Sequence, residues 1–327
     1  MLSLYLKGKE IPEKNVSPAY LNSNAREDFI WIDLDAPTPS EREEVEKFIG
    51  MKLLTRAQAS EIESTSKYSE TTDTVIANCN YFLSQGHSYQ IEPTSFIITK
   101  EGVLVTEHQV HPSSFGDIQK KIEADPEKNS NGYKVFLTIL EALIDYDADM
   151  VELINKQIAS LSKDINTTDN INKEVLHRIN SLQEKTMTMR ENIFDLQRVL
   201  SGIMKSSKFP QGSEGRVTLM LKDVDSLISH GELSFERLDY LQDTALGLIN
   251  IEQNEIVKIL SVAAVIFMPP TLIASIYGMN FKIMPELDWV WTLSNGWVVP
   301  AGYLFALCLM LMVTLLTYWF FRYKKWL

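Results

Sequence analysis

Two long stretches without a charged residue, both near the end of the chain, constrain the fold most. Lys258 is followed by 23 uncharged residues and Asp288 by 33 more. A helix needs about 20 apolar residues to cross the hydrocarbon of a bilayer, so the sequence predicts two transmembrane helices that form a hairpin. Their predicted ranges are 259–281 and 296–321, with a connecting loop over 282–295.

The charges beside these spans predict their orientation. In chain order they are Lys258, then Lys282, Glu286 and Asp288 in the loop, then Arg322, Lys324 and Lys325 in the tail 322–327. Cationic residues are concentrated on the cytosolic side of a membrane, so both termini are predicted to be cytosolic. The first 15 residues lack the apolar core of a secretory signal. We therefore expect a two-pass protein of the plasma (inner) membrane, with the lipid bilayer as a partner.

Aromatic residues stand at both ends of the predicted spans. Trp and Tyr are enriched where a membrane protein meets the interface between lipid and water. The candidates for the outer belt are Trp289, Trp291 and Trp297, and those for the inner belt are Trp319, Tyr323 and Trp326. Their positions agree with the two-span interpretation.

The part of the chain before the spans is strongly acidic. Residues 1–258 carry a formal net charge of −14, against −12 for the whole chain of 327 residues. This charge excludes a nucleic-acid binder that depends on bulk charge, and it favours a cationic partner. The two cysteines, Cys79 and Cys308, lie in different segments, so a reducing compartment is favoured over a disulfide framework.

Residues 1–130 show short β-like runs separated by turns. The run from Phe29 to Asp35 is typical of a strand, and Thr38-Pro39 is typical of a helix start. Further strands are predicted over 74–83, 89–99 and 102–107, and a helix over 113–123. The pattern indicates an α/β domain with a largely antiparallel sheet, which makes the whole chain an α+β protein.

Residues 131–258 are predicted to form a long helical stalk. A helix is expected from about Lys134, followed by a polar break over 166–172 and a second helix to about 208. Turn residues follow over 209–212, and from Glu214 a helical pattern leads into the first span. Helices of this length need partners to cover their apolar side, so we expect a bundle and an oligomer.

One face of the first span carries mainly small or polar side chains. Alternating steps of three and four residues define this face, here called the stripe. Its predicted pore-lining members are Asp243, Asn250, Asn254, Val257, Ser261, Ala264, Met268, Thr271 and Ser275. Small residues also let membrane helices pack closely, but a packing seam would become apolar toward the stalk. The stripe stays polar there, which favours a water-filled path.

Pro269 and Pro270 lie within the first span and allow two interpretations. Proline removes a backbone donor and kinks a helix, and a membrane helix tolerates this where neighbours or water satisfy the freed carbonyls. The pair would either present a carbonyl to the pore or simply bend the helix. The second interpretation is favoured.

Two short motifs follow the first span. Tyr277-Gly278-Met279-Asn280 stands at its outer end, and Met284-Pro285-Glu286-Leu287 stands in the loop. In these motifs, followed by a second span and a basic tail, the sequence resembles the CorA family of magnesium transporters. The resemblance covers essentially the whole chain, including the stalk and the α/β domain.

The resemblance implies a homopentameric funnel in which the first span lines the pore. Tyr277, Gly278, Met279 and Asn280 would form the selectivity motif. Mg²⁺ holds its waters tightly, so a pore that passes it quickly should leave the hydration shell in place. Neutral oxygens of Asn280 and Gly278 would bind that shell without trapping the ion.

The resemblance also implies a gate and an entrance. The candidates for an apolar gate are Val257, Leu260 and Met268, because a narrow apolar segment can close by dewetting. Glu286 and Asp288 would attract cations at the entrance, while Lys282 opposes them. Internal Mg²⁺ would close the pore by binding between neighbouring acidic domains.

Three functions remain open at this point. The first is Mg²⁺ uptake down the electrochemical gradient, with Co²⁺ and Ni²⁺ as surrogate ions. The second is proton-coupled Zn²⁺ transport, as in another branch of the same superfamily, although Met279 and the Met-Pro-Glu-Leu loop favour magnesium. The third is a non-conducting membrane sensor or tether, against which the polar stripe argues.

The sequence shows no catalytic constellation, so neither an enzyme nor a cofactor beyond the transported and regulatory ion is expected.

Two further motifs receive ordinary interpretations. Asp145, Asp147 and Asp149 resemble the start of an EF-hand loop, but the required glycine and closing glutamate are missing, so one acidic helix face is expected. His108 and His111 would offer two ligands to a transition metal, but no third ligand is near them in sequence.

Overall fold

The computed structural model of the chain divides by internal contacts into two compact units, Met1–Asp243 and Thr244–Leu327. It describes residues 1–7, 13–61, 67–85, 88–110, 113–167, 173–280, 282–286, 288–292 and 298–324. The strands are β1 (Leu2–Leu6), β2 (Glu13–Lys14), β3 (Phe29–Asp35), β4 (Tyr68–Glu70), β5 (Thr74–Gln85), β6 (Ser88–Thr99), β7 (Leu104–His108), β8 (Val290–Thr292) and β9 (Val298–Pro300). The α-helices are α1 (Pro39–Ile49), α2 (Arg56–Ala59), α3 (Ser113–Ala124), α4 (Gly132–Thr167), α5 (Lys173–Lys205), α6 (Ser213–Tyr277) and α7 (Ala301–Tyr323).

The N-terminal unit contains one mixed sheet with the strand order β2-β1-β3-β7-β6-β5-β4. Among the described strand pairs, only β3 and β7 run parallel, with Trp31 opposite Leu104. The predicted strands at 29–35, 74–83, 89–99 and 102–107 are confirmed, with ends that differ by a few residues. The prediction of a largely antiparallel sheet is therefore correct.

Local chemistry explains where the first helix starts and stops. The Thr38 hydroxyl accepts a hydrogen bond from the Glu41 amide, and the Glu41 carboxylate accepts one from the Thr38 amide. Pro39 occupies the first turn, where its missing N–H costs nothing. Gly50 ends α1 in the left-handed region with φ 76°, a conformation that costs glycine little.

Helices cover both faces of the sheet. On one face, Ile32 and Leu34 of β3 join a buried cluster with Val45 of α1. On the other face, α4 contacts β3, β6 and β7, and the Phe96 and Phe136 rings lie 5.1 Å apart. Side chains alternate between the two faces of a sheet. Trp31 and Asp33 of β3 therefore lie on the face that is covered by the long helices.

The long helices α4, α5 and α6 form the expected bundle. The buried seam of α6 has heptad spacing and comprises Val217, Met220, Val224, Leu227, Gly231, Ser234, Leu238, Leu241 and Ala245. The Ser234 hydroxyl donates to the Asn155 side-chain oxygen of α4 at 2.6 Å. At Gly231, a Cβ would lie only 2.9 Å from the Arg190 Cγ of α5. The predicted break at 166–172 lies mostly outside the described residues.

The two candidate spans differ from each other in how they begin. α6 runs without interruption through Pro269 and Pro270, and its most apolar window has a mean hydropathy of 2.1. The corresponding window of α7 has a mean hydropathy of 2.2. α7 begins at Ala301, five residues after the predicted start of the second span, because residues 298–300 pair with residues 290–292 as a β-hairpin. Sequence reasoning did not predict this hairpin.

Candidate functional site

The stripe is open to the surroundings in the single chain. All nine of its predicted pore-lining members, from Asp243 to Ser275, are exposed. The partly covered positions of the same helix lie on the opposite side and include Val262, Ile266, Pro269, Ile273 and Tyr277. The candidate span therefore has one partly covered apolar face and one open face with small or polar side chains.

The burial of α6 changes along its length. Its buried seam ends at Ala245, and from Leu246 to Asn280 the described chain contains no buried residue. Leu246 to Tyr277 is thus a helix segment that has no core of its own in one chain. Such a segment needs lipid or other copies of the chain to cover its apolar faces.

The predicted gate residues are also exposed in the single chain. Val257 is 60% exposed, Leu260 70% and Met268 68%. Val257 and Met268 belong to the stripe, and Leu260 lies within about one sixth of a turn of it at roughly 100° per residue. One chain places these side chains along one side of one helix, so a closed apolar ring requires several copies.

The geometry at the C-terminal end of α6 explains why a glycine follows Tyr277. The Gly278 amide donates to the Ala274 carbonyl at 2.9 Å, and the Met279 amide donates to the Ile276 carbonyl at 3.2 Å. A Cβ at Gly278 would lie 3.1 Å from the Ala274 carbonyl oxygen. The close approach of this carbonyl, and not a left-handed backbone, is what favours glycine here.

The four residues of the predicted selectivity motif do not share one environment. Tyr277 is partly buried on the covered face of α6, whereas Gly278, Met279 and Asn280 are exposed beyond the helix end. Tyr277 therefore lies on the side of α6 opposite to the stripe. In the loop, Glu286 is partly buried and Asp288 is exposed.

The tandem prolines free two carbonyl groups. Pro269 and Pro270 have no N–H, so the carbonyls of Val265 and Ile266 receive no amide donor four residues later. At roughly 100° per residue, these carbonyls lie about 100° and 200° around the helix from Ala264 of the stripe. This position supports the bend interpretation over a carbonyl that faces the pore. Nearby, the Thr271 hydroxyl donates to the Phe267 carbonyl at 2.7 Å.

Aromatic residues mark the ends of α7. The Trp289 ring lies 5.8 Å from the Phe305 ring, and the Trp289 carbonyl accepts a hydrogen bond from the Gly302 amide. At the other end, Trp319 and Tyr323 stack with ring centroids 5.8 Å apart. Trp297 and Trp326 of the predicted belts lie outside the described residues.

The predicted acidic face at Asp145, Asp147 and Asp149 is wrong in one position. Asp145 and Asp149 are exposed on α4, but Asp147 is only 1% exposed. A spacing of two residues places Asp147 roughly 200° around the helix from Asp145. The three carboxylates therefore do not face one ion, and the EF-hand interpretation has no support.

A buried polar network connects β3 and β7, and sequence reasoning missed it. The Trp31 indole donates to the Thr106 hydroxyl at 2.9 Å, and that hydroxyl donates to the Asp33 carboxylate at 2.5 Å. The His108 ring lies 3.2 Å from the same carboxylate. Burial lowers the pKa of His108, but the hydrogen bond and charge of Asp33, with Asp35 nearby, raise it above its ordinary value overall.

This network involves His108, one of the two histidines considered as ligands of a transition metal. The His108 ring is turned toward Asp33 and is buried, while His111 lies outside the described residues. Across the described ranges, no group of three or more His, Cys, Asp or Glu side chains is arranged to hold a metal ion.

A mixed α/β unit, a bundle of long helices and two C-terminal apolar helices together define a class of two-span membrane protein. The model of the family described as CorA-like Mg²⁺ transporter protein matches residues 26–325. The magnesium transport protein CorA of Wolinella succinogenes is 32% identical over 332 residues, with 100% of both chains covered. The chain belongs to the CorA-like Mg²⁺ transporter family.

Solved structures support the same fold. The complete structure of the CorA magnesium transporter from Methanocaldococcus jannaschii is similar with a TM-score of 0.77 and 20% identity, over 100% of this chain and 99% of that one. The cytoplasmic domain of ZntB from Vibrio parahaemolyticus matches with a TM-score of 0.53 and 12% identity, over 67% of this chain and 87% of that one. At these identities the similarity concerns the fold alone.

Proposed function

We propose that this chain is a Mg²⁺ uptake channel of the plasma membrane that acts as a homopentamer with both termini in the cytosol. The observation that carries the proposal is the exposed stripe of α6, which leads from Asp243 to the Gly278-Met279-Asn280 end. Around a symmetry axis, several copies of this stripe would enclose a path with polar and small walls. Family membership supports Mg²⁺ as the ion.

The chemistry of the path suits a hydrated divalent ion. Mg²⁺ dehydrates reluctantly and prefers octahedral oxygen ligands. Asn280 would offer neutral side-chain oxygens, and Gly278 would offer backbone carbonyls, to the waters of the first shell. Co²⁺ and Ni²⁺ also form hydrated octahedra, so they would pass as surrogates.

The membrane potential supplies the driving force. An inside-negative potential of 100 mV favours the entry of a divalent ion by about 4.6 kcal/mol. No ATP-dependent step is required for uptake of this kind, which fits a transporter without enzymatic activity. Glu286 and Asp288 would raise the cation concentration at the entrance, against the opposing charge of Lys282.

Feedback by internal Mg²⁺ is the proposed mode of closure. Residues 1–258 carry a net charge of −14, so copies of this region repel one another at close range. Within the described part of one chain no cluster of acidic ligands forms a metal site. The regulatory sites would therefore lie between copies, where bound Mg²⁺ holds the region together and the apolar gate stays dry.

The test is Mg²⁺ influx into liposomes that contain the purified full-length protein and an internal Mg²⁺-sensitive dye. Wild type is compared with Asn280→Ala under an inside-negative potential and low internal Mg²⁺. Ile283→Ala is the matched control, because Ile283 is 80% exposed three residues after Asn280 and lies outside the stripe and the motif. We expect influx in wild type and the control, and its loss in Asn280→Ala.

Three other results would each overturn part of the proposal. Equal influx in all three proteins would remove Asn280 from the selectivity site. Zn²⁺ influx that depends on a proton gradient, without Mg²⁺ influx, would assign the chain to zinc transport. The absence of any ion flux would favour a sensor or tether.

A further inference from the structure

The loop between the two spans contains a short β-hairpin with apolar side chains on both faces. β8 and β9 pair antiparallel, with Val290 opposite Pro300 and Trp291 opposite Val299. Trp291 is 71% exposed and Val290 is 58% exposed. Because side chains alternate along a strand, Trp291 points to one face of the ribbon and Val290 to the other.

The charge pattern separates this hairpin from the rest of the loop. The charged residues of the loop, Lys282, Glu286 and Asp288, all precede the hairpin. No charge occurs from residue 289 to residue 321, although helix α7 begins only at Ala301. Residues 289–300 are thus uncharged without being needed to cross the bilayer.

The hairpin is attached to the start of the second span. The Gly302 amide in the first turn of α7 donates to the Trp289 carbonyl at 3.1 Å. The Trp289 ring lies 5.8 Å from the Phe305 ring, one turn further along the same helix. The base of the ribbon therefore lies at the level where α7 would enter the membrane.

An isolated two-stranded ribbon is marginally stable in water. This ribbon has no sheet partner among the described strands, and all three residues of β8 are exposed. Trp rings are stabilised at the interface between lipid and water, where their apolar body is dry and the N–H is hydrated. Contact with lipid would therefore bury the exposed apolar side chains of the ribbon. It would bring no charged group into the apolar part of the bilayer, because the ribbon has none.

We propose that the β8–β9 hairpin is an interfacial anchor that lies in the outer headgroup region of the bilayer and contacts lipid through Trp291. The inference rests on the proposed function only in that both spans cross the membrane. The anchor would fix the end of the loop beside the second span. The charged part of the loop, which contains Glu286, would then stay in water near the path.

The test uses tryptophan fluorescence of the full-length protein in phosphatidylcholine liposomes. The lipid carries bromine quenchers close to the headgroup or near the bilayer centre, and acrylamide serves as the aqueous quencher. The difference between the emission spectra of wild type and Trp291→Phe gives the fluorescence component of Trp291. We expect this component to be blue-shifted, to be quenched most by bromine close to the headgroup, and to be quenched weakly by acrylamide.

A second variant tests whether α7 is inserted in the membrane, independently of where the hairpin lies. Trp319 is 65% exposed near the opposite end of α7, so the component lost in Trp319→Phe should be quenched by brominated lipid whatever the hairpin does. If Trp319 is quenched but Trp291 responds only to acrylamide, the hairpin lies in water. If Trp291 responds to neither quencher, it is covered by another copy of the chain. Either result overturns the anchor alone, whereas a loss of quenching at Trp319 overturns both the anchor and the proposed function.

Discussion

Asp147 on α4 and Asn192 on α5 face each other inside the N-terminal unit. The Asn192 amide nitrogen lies 3.2 Å from one carboxyl oxygen of Asp147 and 3.4 Å from the other. Asp147 is 1% exposed and Asn192 is 4% exposed. A buried carboxylate with so little hydrogen bonding is unfavourable, so the protonated acid is the stable form in the fold.

Stability should therefore depend on pH through Asp147. Burial raises the pKa of Asp147 from 3.8 to about 8, against the smaller lowering effect of Asn192. A raised pKa means that the proton stabilises the fold, fully at low pH, and that this stability is lost as pH rises through the folded-state pKa. The expected loss is about 1.4 kcal/mol per pH unit between about pH 5 and pH 7, and it levels off above about pH 8. Thermal unfolding of the detergent-solubilised protein as a function of pH measures it.

Two buried groups that interact with Asp147, Cys79 and Tyr81, do not titrate in the same range. Burial raises the pKa of Cys79 to about 12, and burial raises the pKa of Tyr81 well above 10. Asp147→Asn should reduce the pH dependence of the unfolding midpoint, and the part that remains includes the contribution of His108, whose pKa is also raised. Asp145→Asn is the matched control, because the Asp145 side chain is 71% exposed on the same helix. A pH slope in Asp147→Asn equal to that of wild type would refute the assignment.

Gly132→Ala should destabilise the N-terminal unit. The Gly132 amide donates to the Gly102 carbonyl at 2.8 Å, which fixes the start of α4 against the turn before β7. A Cβ at this position would lie 2.4 Å from the Leu104 amide nitrogen and 2.5 Å from the Gly102 oxygen, both backbone atoms. Overpacking of this kind costs about 1–3 kcal/mol. The unfolding midpoint of the purified protein measures the loss.

Gly215→Ala provides the comparison for this change. Gly215 lies near the start of α6, and a Cβ there would meet no atom within 4 Å. Alanine is the better helix former by about 1 kcal/mol, so this variant should be as stable as wild type or slightly more stable. If Gly132→Ala matched it, the close approach at Gly102 would not limit the packing of α4.

The elements that sequence reasoning found have local causes. β3 carries strand-forming residues over 29–35, and α1 has its capping Thr38 and its Pro39 next to each other in the sequence. The stripe was found by steps of three and four residues, and its exposure in the fold agrees with that spacing. Patterns of this kind need no knowledge of distant parts of the chain.

The features that were missed depend on distant partners. The β8–β9 hairpin has the same apolar composition as the span that follows it, so composition alone could not separate the two. Asp147 was assigned to an acidic face, although α5 covers it with Asn192 from 45 residues away. The parallel pairing of β3 with β7 joins residues 73 positions apart, and the Asp33–His108 contact that depends on it joins residues 75 positions apart.

Ala264→Leu should reduce ion flux more than Ala274→Leu. Ala264 belongs to the stripe, whereas Ala274 lies about a quarter of a turn away from it on the same helix. Both residues are exposed in the single chain, so the two changes add the same volume without overfilling a core. A larger side chain in the proposed path narrows it, and we expect a severalfold lower initial rate of Mg²⁺ influx in liposomes. Equal rates in the two variants would place the path on another face of α6.

Val257→Ser should weaken the closed state of the proposed channel. An apolar constriction stays shut because water leaves it, and a hydroxyl at that position would keep water in place. In planar bilayers with high Mg²⁺ on the cytosolic side, where wild type is expected to be closed, we expect a severalfold larger residual current.

Ile256→Ser is the matched control for this change. Ile256 is 59% exposed and Val257 60%, so the two positions are equally open in the single chain. They differ in direction by about 100°, which places Ile256 off the stripe. Serine at Ile256 adds no polar group to the proposed constriction. The residual current of this variant at high cytosolic Mg²⁺ should therefore be as low as that of wild type. If both variants stayed closed, the dry segment would lie at Leu260 or Met268 instead, and the same pair of measurements at those positions would locate it.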